Sequence, residues 1–264
     1  MKEIVMCNPK FYDVIYEINL WMKISNKVNK ELAKKQWNNL KNNFTKNNVK
    51  VNVLIPNKNC PDMVFTANHG IVLNDGFIAS NFLKQERKFE IIKAVDQIMK
   101  LLPGFKYNQC PYPFEGEAEL FHLKDNIYIG GYNKRTVLES HFWFEKNYKL
   151  KIYPLFIKNS KFYHLDTCLT IRNNIIYLYE DAFLKKDVDN LKKKFKVICV
   201  SKEIAMAFGM NCIQLKNSLI TPIKDLRLRD ELKKIFQTKI IYNDMSEFIK
   251  SGGACFCSKM ILKR

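Results

Sequence analysis

The sequence predicts a mixed α/β fold in which one hairpin–helix–strand unit recurs five times and closes on itself. Three observations carry that expectation. The same succession of patterns returns about every 45–55 residues. Polar turns, Asn74-Asp75-Gly76, Lys124-Asp125-Asn126 and Arg172-Asn173-Asn174, separate paired apolar runs. The final strand lacks a helix after it, and the N-terminus supplies one.

Taken in order, the N-terminus offers a strand near Ile4, a helix over 28–44 and a strand over 51–55. Residues 63–79 read as a hairpin, after which Phe89, Ile92, Val95, Ile98, Met99 and Leu102 mark the apolar face of a helix. The next unit has a hairpin over 118–130, a helix over 137–148 and a strand over 151–157. Residues 162–179, 185–195 and 197–200 repeat that order, the last being a short buried strand. A fourth hairpin spans 212–221, followed by a helix over 226–236 and a strand over 240–242. The strand over 254–262 then joins the N-terminal elements to complete the fifth unit. A closed repeat of this kind makes 1–264 a single domain whose equivalent strand ends converge on a central site.

Composition narrows the function classes. With 47% apolar and 13% aromatic residues the 264-residue chain can bury a sizeable core. No segment approaches the roughly 18 apolar residues of a membrane span. The first residues lack the basic, apolar and small-residue succession of a secretory signal, so a cytoplasmic location is expected. Eight cysteines at irregular spacing suit a reducing compartment and small buried side chains better than a disulfide framework. The net charge of +18 raises the question of a polyanion partner. Its lysines, however, are scattered beside asparagines, with short clusters such as Lys192-Lys193-Lys194, and no nucleic-acid motif accompanies them. A solvated basic surface is the expectation, without nucleic-acid or membrane partners.

Four patches carry groups able to do chemistry: Pro61-Asp62-Met63-Val64-Phe65-Thr66-Ala67-Asn68, Phe114-Glu115-Gly116-Glu117-Ala118-Glu119, Phe162-Tyr163-His164-Leu165-Asp166-Thr167 and Gly252-Gly253-Ala254-Cys255-Phe256-Cys257. Each alone is weak. Glu115, Glu117 and Glu119 alternate within an apolar run, and as a strand they would share one face. Burying carboxylates calls for a compensating cation, and guanidinium matches them best through its planar fork. Cleaving that group requires a thiolate, a proton carrier and carboxylates to fix its plane, which are a Cys, a His and Asp/Glu. Zinc is the weaker reading: Cys255 and Cys257 form a C-x-C step shorter than the usual knuckle, with no second paired motif. No G-x-S-x-G elbow supports a serine hydrolase.

These patches resemble the arginine deiminase, dimethylarginine dimethylaminohydrolase and amidinotransferase superfamily, most closely its arginine dihydrolases. The likeness extends to Tyr16-Glu17-Ile18-Asn19-Leu20-Trp21-Met22, Ser80-Asn81-Phe82 with Glu86-Arg87 and Glu90, Gly131-Tyr132 with Arg135-Thr136, and Ser246-Glu247-Phe248-Ile249-Lys250. It implies a pentein fold, an α/β-propeller of five ββαβ-type units with pseudo-fivefold symmetry, as one catalytic domain. It also implies Cys257 as nucleophile, His164 as general acid/base, and Glu115 and Asp166 as acids that engage the guanidino head or orient the histidine. Asn68, Asn19, Arg87, Glu119, Asp62 and Arg135 resemble substrate-binding positions, Arg87 as a carboxylate clamp. The implied reaction is hydrolysis of arginine or a close derivative to ornithine or citrulline and ammonia, with no metal or organic cofactor. A homo-oligomer is compatible with it. Dimethylarginine hydrolysis, amidino transfer to an amine, and an inactive binding module that keeps the fold are the alternatives. The second motif departs from the family's Glu-Gly-Ala/Gly-Gly-Asp by ending in Ala118-Glu119, and Phe256 and His69 are also departures.

Overall fold

The computed structural model describes residues 1–74 and 76–264. Its elements run β1 (Glu3–Cys7), α1 (Lys30–Lys46), β2 (Lys50–Leu54), β3 (Gly70–Leu73), β4 (Gly76–Ala79), α2 (Gln85–Leu101), β5 (Lys106–Gln109), β6 (Leu120–Lys124), β7 (Ile127–Tyr132), α3 (Leu138–Tyr148) and β8 (Lys151–Phe156). They continue with β9 (Leu169–Arg172), β10 (Ile175–Leu178), α4 (Lys185–Lys192), β11 (Val197–Cys199), α5 (Lys202–Met206), β12 (Ile213–Gln214), β13 (Ser218–Thr221), α6 (Leu226–Phe236), β14 (Lys239–Tyr242), α7 (Ser246–Ile249) and β15 (Met260–Lys263).

Among the described residues these strands form five three-stranded sheets, each an antiparallel pair with a third strand added in parallel. A parallel third strand needs a crossover, and α1, α2, α3, α4 and α6 provide it in turn. The ends do complete one another: β1 pairs antiparallel with β15 and parallel with β2. Packing divides the chain into two compact units, residues 1–117 with 245–264, and residues 118–244.

The first unit holds the sheets β15-β1-β2 and β3-β4-β5. Helix α1 starts where the Asn29 side chain accepts from the Leu32 amide at 3.0 Å, and it buries Ala33, Trp37, Leu40 and Phe44 at three- and four-residue steps. Val5, Leu54, Met63, Phe77, Ile91, Ile98 and Met260 join one apolar core. Of the expected face of α2, Ile98 and Leu102 are buried and Val95 and Met99 pack against this core, so the correction falls on two positions. Ile92 is 64% and Phe89 39% exposed, whereas the inward face reads Arg87, Glu90, Ile91, Ala94 and Ile98. An ion pair within the first turns takes the inner position, which rotates the helix away from the purely apolar stripe. The Asn74-Asp75-Gly76 turn falls in part outside the described residues, Asp75 being the exception to them.

In the second unit α6 is capped by Asp225, whose side chain accepts from the Leu228 amide at 3.2 Å. Leu228, Leu232 and Phe236 face inward, and the Phe236 ring stacks on Tyr177 with centroids 4.1 Å apart. No helix among the described residues is long and apolar enough to cross a membrane.

The chemistry-bearing patches depart from the expected strands in a consistent way. Residues 61–64, 66–68, 116–118 and 165–167 are short 3-10 turns, and the strands β3, β6 and β9 begin only after them. Residues 254–259 likewise form no strand, so β15 starts at Met260. Gly116 adopts φ +67°, which interrupts any alternation of Glu115, Glu117 and Glu119. The expectation that those three acids share a strand face, and the expected start of the last strand at residue 254, are therefore both overturned.

Candidate active site

In the first unit the segment around Cys257 is folded onto residues 65–68. The Cys257 carbonyl accepts from the Ala67 amide at 3.1 Å, and the Ser258 hydroxyl closes the turn by donating to the Ala254 carbonyl at 2.8 Å. Gly253 lies beneath the Phe65 ring, where an added Cβ would come within 2.3 Å of it. Phe65 is held edge-on by Tyr12 and Phe248, at 5.9 and 6.3 Å between centroids, and the Tyr12 hydroxyl donates to the Glu247 carbonyl at 2.8 Å. Glycine is required at 116 as well, because a Cβ there would stand 2.3 Å from the Ala67 carbonyl oxygen. The turn bearing Glu115, the Asn68 segment and the Cys257 segment are thereby packed together, and all three side chains are buried.

A buried polar cluster backs Asn68. The Arg87 guanidinium forks onto Glu90 through Nε and Nη2, at 2.8 and 2.9 Å, and its Nη1 donates to Asn68 Oδ1 at 2.9 Å. Nη1 also lies 4.0 Å from Glu115 Oε2, while Nη2 reaches the Asp62 carbonyl at 3.4 Å. The Phe82 ring covers one face of the group, 4.5 Å from its carbon. Burial opposes the charge on Arg87, but Glu90 outweighs it and holds the guanidinium firmly protonated. For Glu90 burial likewise acts against the charge, and Arg87 brings its carboxyl below the ordinary range. His69 Nε2 meets Glu90 Oε2 at 3.3 Å. Burial nevertheless keeps this imidazole below its usual range, against the pull of Glu90. The Arg87 donors are thus directed at protein acceptors, Glu90, Asn68 and the Asp62 carbonyl.

The other residues of this unit support loops. Asp62 Oδ2 accepts from the Tyr16 hydroxyl at 2.9 Å. Burial and then the Asp62 charge push the Tyr16 phenol well up, so it stays a donor. Asn19 donates from Nδ2 to the Ser251 carbonyl at 3.0 Å and accepts from the Trp21 and Met22 amides, pinning 16–22 beside the Gly252 turn. Glu117 pairs with Lys259 at 2.7 Å and accepts from the Ile261 amide at 3.1 Å, a structural tie that sequence reasoning missed.

In the second unit, buried His164 precedes the 165–167 turn, and its carbonyl accepts from the Thr167 hydroxyl at 2.6 Å and the Thr167 amide at 3.2 Å. Its ring lies 4.6 Å from Tyr163, over which Arg135 stacks at 5.0 Å. Glu119 braces the turn: Oε2 accepts from the Leu165 amide at 3.1 Å. Gly131 makes room for it, since a Cβ there would lie 2.6 Å from Glu119 Oε2. The longer acid is thus matched by a missing side chain opposite it. Asp166 is fully buried, and its carbonyl accepts from Asn211 Nδ2 at 3.2 Å. Predicted site residues therefore fall into two groups, Cys257, Glu115, Asn68, Arg87, Asp62 and Asn19 in one unit, and His164, Asp166, Glu119 and Arg135 in the other.

Burial also sorts the thiols. It pushes Cys60 and Cys110 up to about 11 and Cys212 up to about 12, and it raises Cys7, Cys168 and Cys199. Thiols held protonated are poor nucleophiles, and five of these six, all but the exposed Cys199, are buried. Among the described residues no group of three or more His, Cys, Asp or Glu side chains is arranged to hold a metal ion.

The family described as N,N dimethylarginine dimethylhydrolase, eukaryotic, matches residues 11–263. The bifunctional arginine dihydrolase/ornithine cyclodeaminase ArgZ of Synechocystis sp. is 32% identical over 264 residues, covering 96% of this chain but 37% of that protein. The N(G),N(G)-dimethylarginine dimethylaminohydrolase of Mycobacterium tuberculosis is 28% identical over 255 residues, with 96% and 83% covered. Among solved structures, the N-terminal domain of ArgZ bound to product superposes with a TM-score of 0.92 at 29% identity, covering 99% of this chain and 97% of that one. The same domain covalently bound to a reaction intermediate also gives 0.92 at 29% identity, covering 99% and 98%. The five sheets are those of the pentein fold.

Proposed function

The chain belongs to the N,N dimethylarginine dimethylhydrolase family, and from that premise we propose that residues 1–264 act as one catalytic domain that hydrolyses the guanidino group of L-arginine. The observation that carries this reading is the Cys257 segment hydrogen-bonded onto the Asn68 segment, with Gly116, next to Glu115, packed against Ala67 of that segment. The covalent intermediate named for the ArgZ domain supports a thiol nucleophile.

In this reading the Cys257 thiolate attacks the guanidino carbon, and His164 gives a proton to the departing nitrogen, releasing ammonia. Glu115 and Asp166 hold the planar cation and favour the protonated imidazole. His164 then takes a proton from water, the water adds to the amidino carbon, and the C–S bond breaks to yield citrulline. A second round on the ureido carbon, with a second water, releases another ammonia and carbon dioxide and leaves ornithine. The chemistry calls for no metal or organic cofactor. Dimethylarginine is the second reading, favoured by the family match and by the Mycobacterium tuberculosis relative.

The test is to supply purified protein with arginine or dimethylarginine and quantify ornithine, citrulline, ammonia and dimethylamine. Cys257→Ser abolishes turnover and keeps the melting temperature, while Cys255→Ser retains activity. Product from Cys257→Ser, or none from the wild type with either substrate, would sink the proposal.

A further inference from the structure

The outer face of α2 carries an apolar cluster that the fold leaves open. Arg87, Glu90, Ile91, Ala94 and Ile98 point inward, whereas Ile92, in the middle of the outer stripe, is 64% exposed. Phe89 stands nearly one turn before it at 39%, Leu83 precedes the helix at 41%, and Tyr107 of β5 is 48% exposed. Ile92 and Tyr107 line the same cavity of about 720 Å³, together with Val95 and Met99. Single exposed apolar side chains are ordinary, but a cluster around one recess marks a surface that something covers.

The charges on this stripe say what covers it. Lys88 and Asp96 are exposed and stand four residues before and after Ile92, roughly 6 Å along the axis in each direction. Neither has an ion-pair partner among the described residues. A second copy of α2, laid antiparallel with a twofold axis at Ile92, sets each residue against the one equally far on the other side of position 92. Lys88 then faces Asp96 of the partner subunit, twice over, Phe89 faces Val95 of the partner subunit, and the two Ile92 side chains meet on the axis. A parallel pair would set Lys88 against Lys88 of the partner subunit, so the charges fix the direction as well as the register.

We propose that this face of α2, with Tyr107 beside it, is a twofold interface between two copies of the chain. At a net charge of +18 the copies repel at long range, and association depends on opposite charges placed locally, which the two Lys88–Asp96 pairs supply. Farther out, Lys100 would approach Lys84 of the partner subunit, so the helices cross at an angle that separates their ends. Lys88, Ile92 and Asp96 all line the cavity, and a partner touching them lies over its mouth and removes its apolar walls from water.

Sedimentation equilibrium across a range of protein concentrations reads the assembly directly. Wild type is expected to dimerise. Lys88→Asp and Asp96→Lys each oppose like charges at both pairs and raise the dissociation constant about a hundredfold. The double variant Lys88→Asp/Asp96→Lys rebuilds the pairs with signs exchanged and returns to within about tenfold of wild type. A monomeric wild type, a dimer indifferent to the single changes, or a double variant no tighter than the singles overturns the inference.

A second measurement does not depend on charge. Ile92→Cys is made in a Cys199→Ser background, because Cys199 is the exposed thiol among the described residues. On the axis each new thiol meets its own copy, and with oxidised glutathione as acceptor of two electrons and two protons the pair closes to a disulfide. Leu226→Cys, at a position 70% exposed on α6, is the control. Covalent dimer from Ile92→Cys and not from Leu226→Cys supports the interface, whereas equal yields from the two, or none from Ile92→Cys, overturn it.

Discussion

Replacing Lys259 by Met should destabilise the protein far more than a surface lysine would. Lys259 and Glu117 are 1% and 4% exposed, and their charges meet at 2.7 Å. Removing the cation strands a buried carboxylate, which costs about 3–5 kcal/mol. Glu117 has no escape, because its second oxygen is held by the Ile261 amide at 3.1 Å. Lys259 Nζ also sits 3.4 Å from the centre of the Phe256 ring, a contact that methionine replaces only in part. For a chain of this size each kcal/mol lowers the melting temperature by roughly 2–4 °C, so a fall of about 6–20 °C is expected. Urea denaturation read by tryptophan fluorescence gives the free energy directly. The companion double variant Glu117→Gln/Lys259→Met removes both charges and keeps the acceptor for Ile261, so it should recover at least half of the loss. The reasoning is refuted if Lys259→Met lies within about 1 kcal/mol of wild type, or if the double variant is no more stable than the single one.

Gly131→Ala should cost about 1–3 kcal/mol and reduce turnover, since its Cβ would stand 2.6 Å from Glu119 Oε2 and 2.8 Å from Leu165 Cβ, displacing the turn that carries His164. Wild-type stability and turnover in that variant would show that Glu119 is not braced there. Burial lowers the His141 pKa from 6.5 to about 4, so the folded state binds fewer protons than the unfolded one in that interval. Its contribution is intact above pH 6.5 and is lost as pH falls toward 4, roughly 3 kcal/mol in all. His141→Leu should therefore flatten the decline of the melting temperature between those pH values, and an unchanged slope would remove His141 as its source.

Periodicity exposed the scaffold because hairpins and amphipathic helices repeat the same burial rule over many residues. Helix α6 occupies 226–236 as its Leu228, Leu232 and Phe236 pattern requires, and the closure of β15 on β1 follows from a strand left without its helix. The same rule misread the chemistry-bearing patches. A period of two was imposed on Glu115, Glu117 and Glu119, yet a left-handed glycine sends them three ways: toward Arg87, onto Lys259 and onto the Leu165 amide.

Arg87 and Glu90 show why such sites resist reading from one dimension. At i and i+3 they look like an exposed helical ion pair worth a few tenths of a kcal/mol. Their burial depends on Asn68, His69 and Glu115 arriving from other segments to share the donors and acceptors, and none of those partners is specified by helical spacing. Phe89 and Ile92, two of the six residues expected on the apolar face, are left outside, while Val95, Ile98, Met99 and Leu102 still pack inward. A cluster of this kind is costly in an apolar core, and only complete mutual hydrogen bonding offsets it. Even so, the cluster is not saturated: Asn68 Nδ2 and His69 Nδ1 are both buried without a hydrogen-bond partner among the described residues.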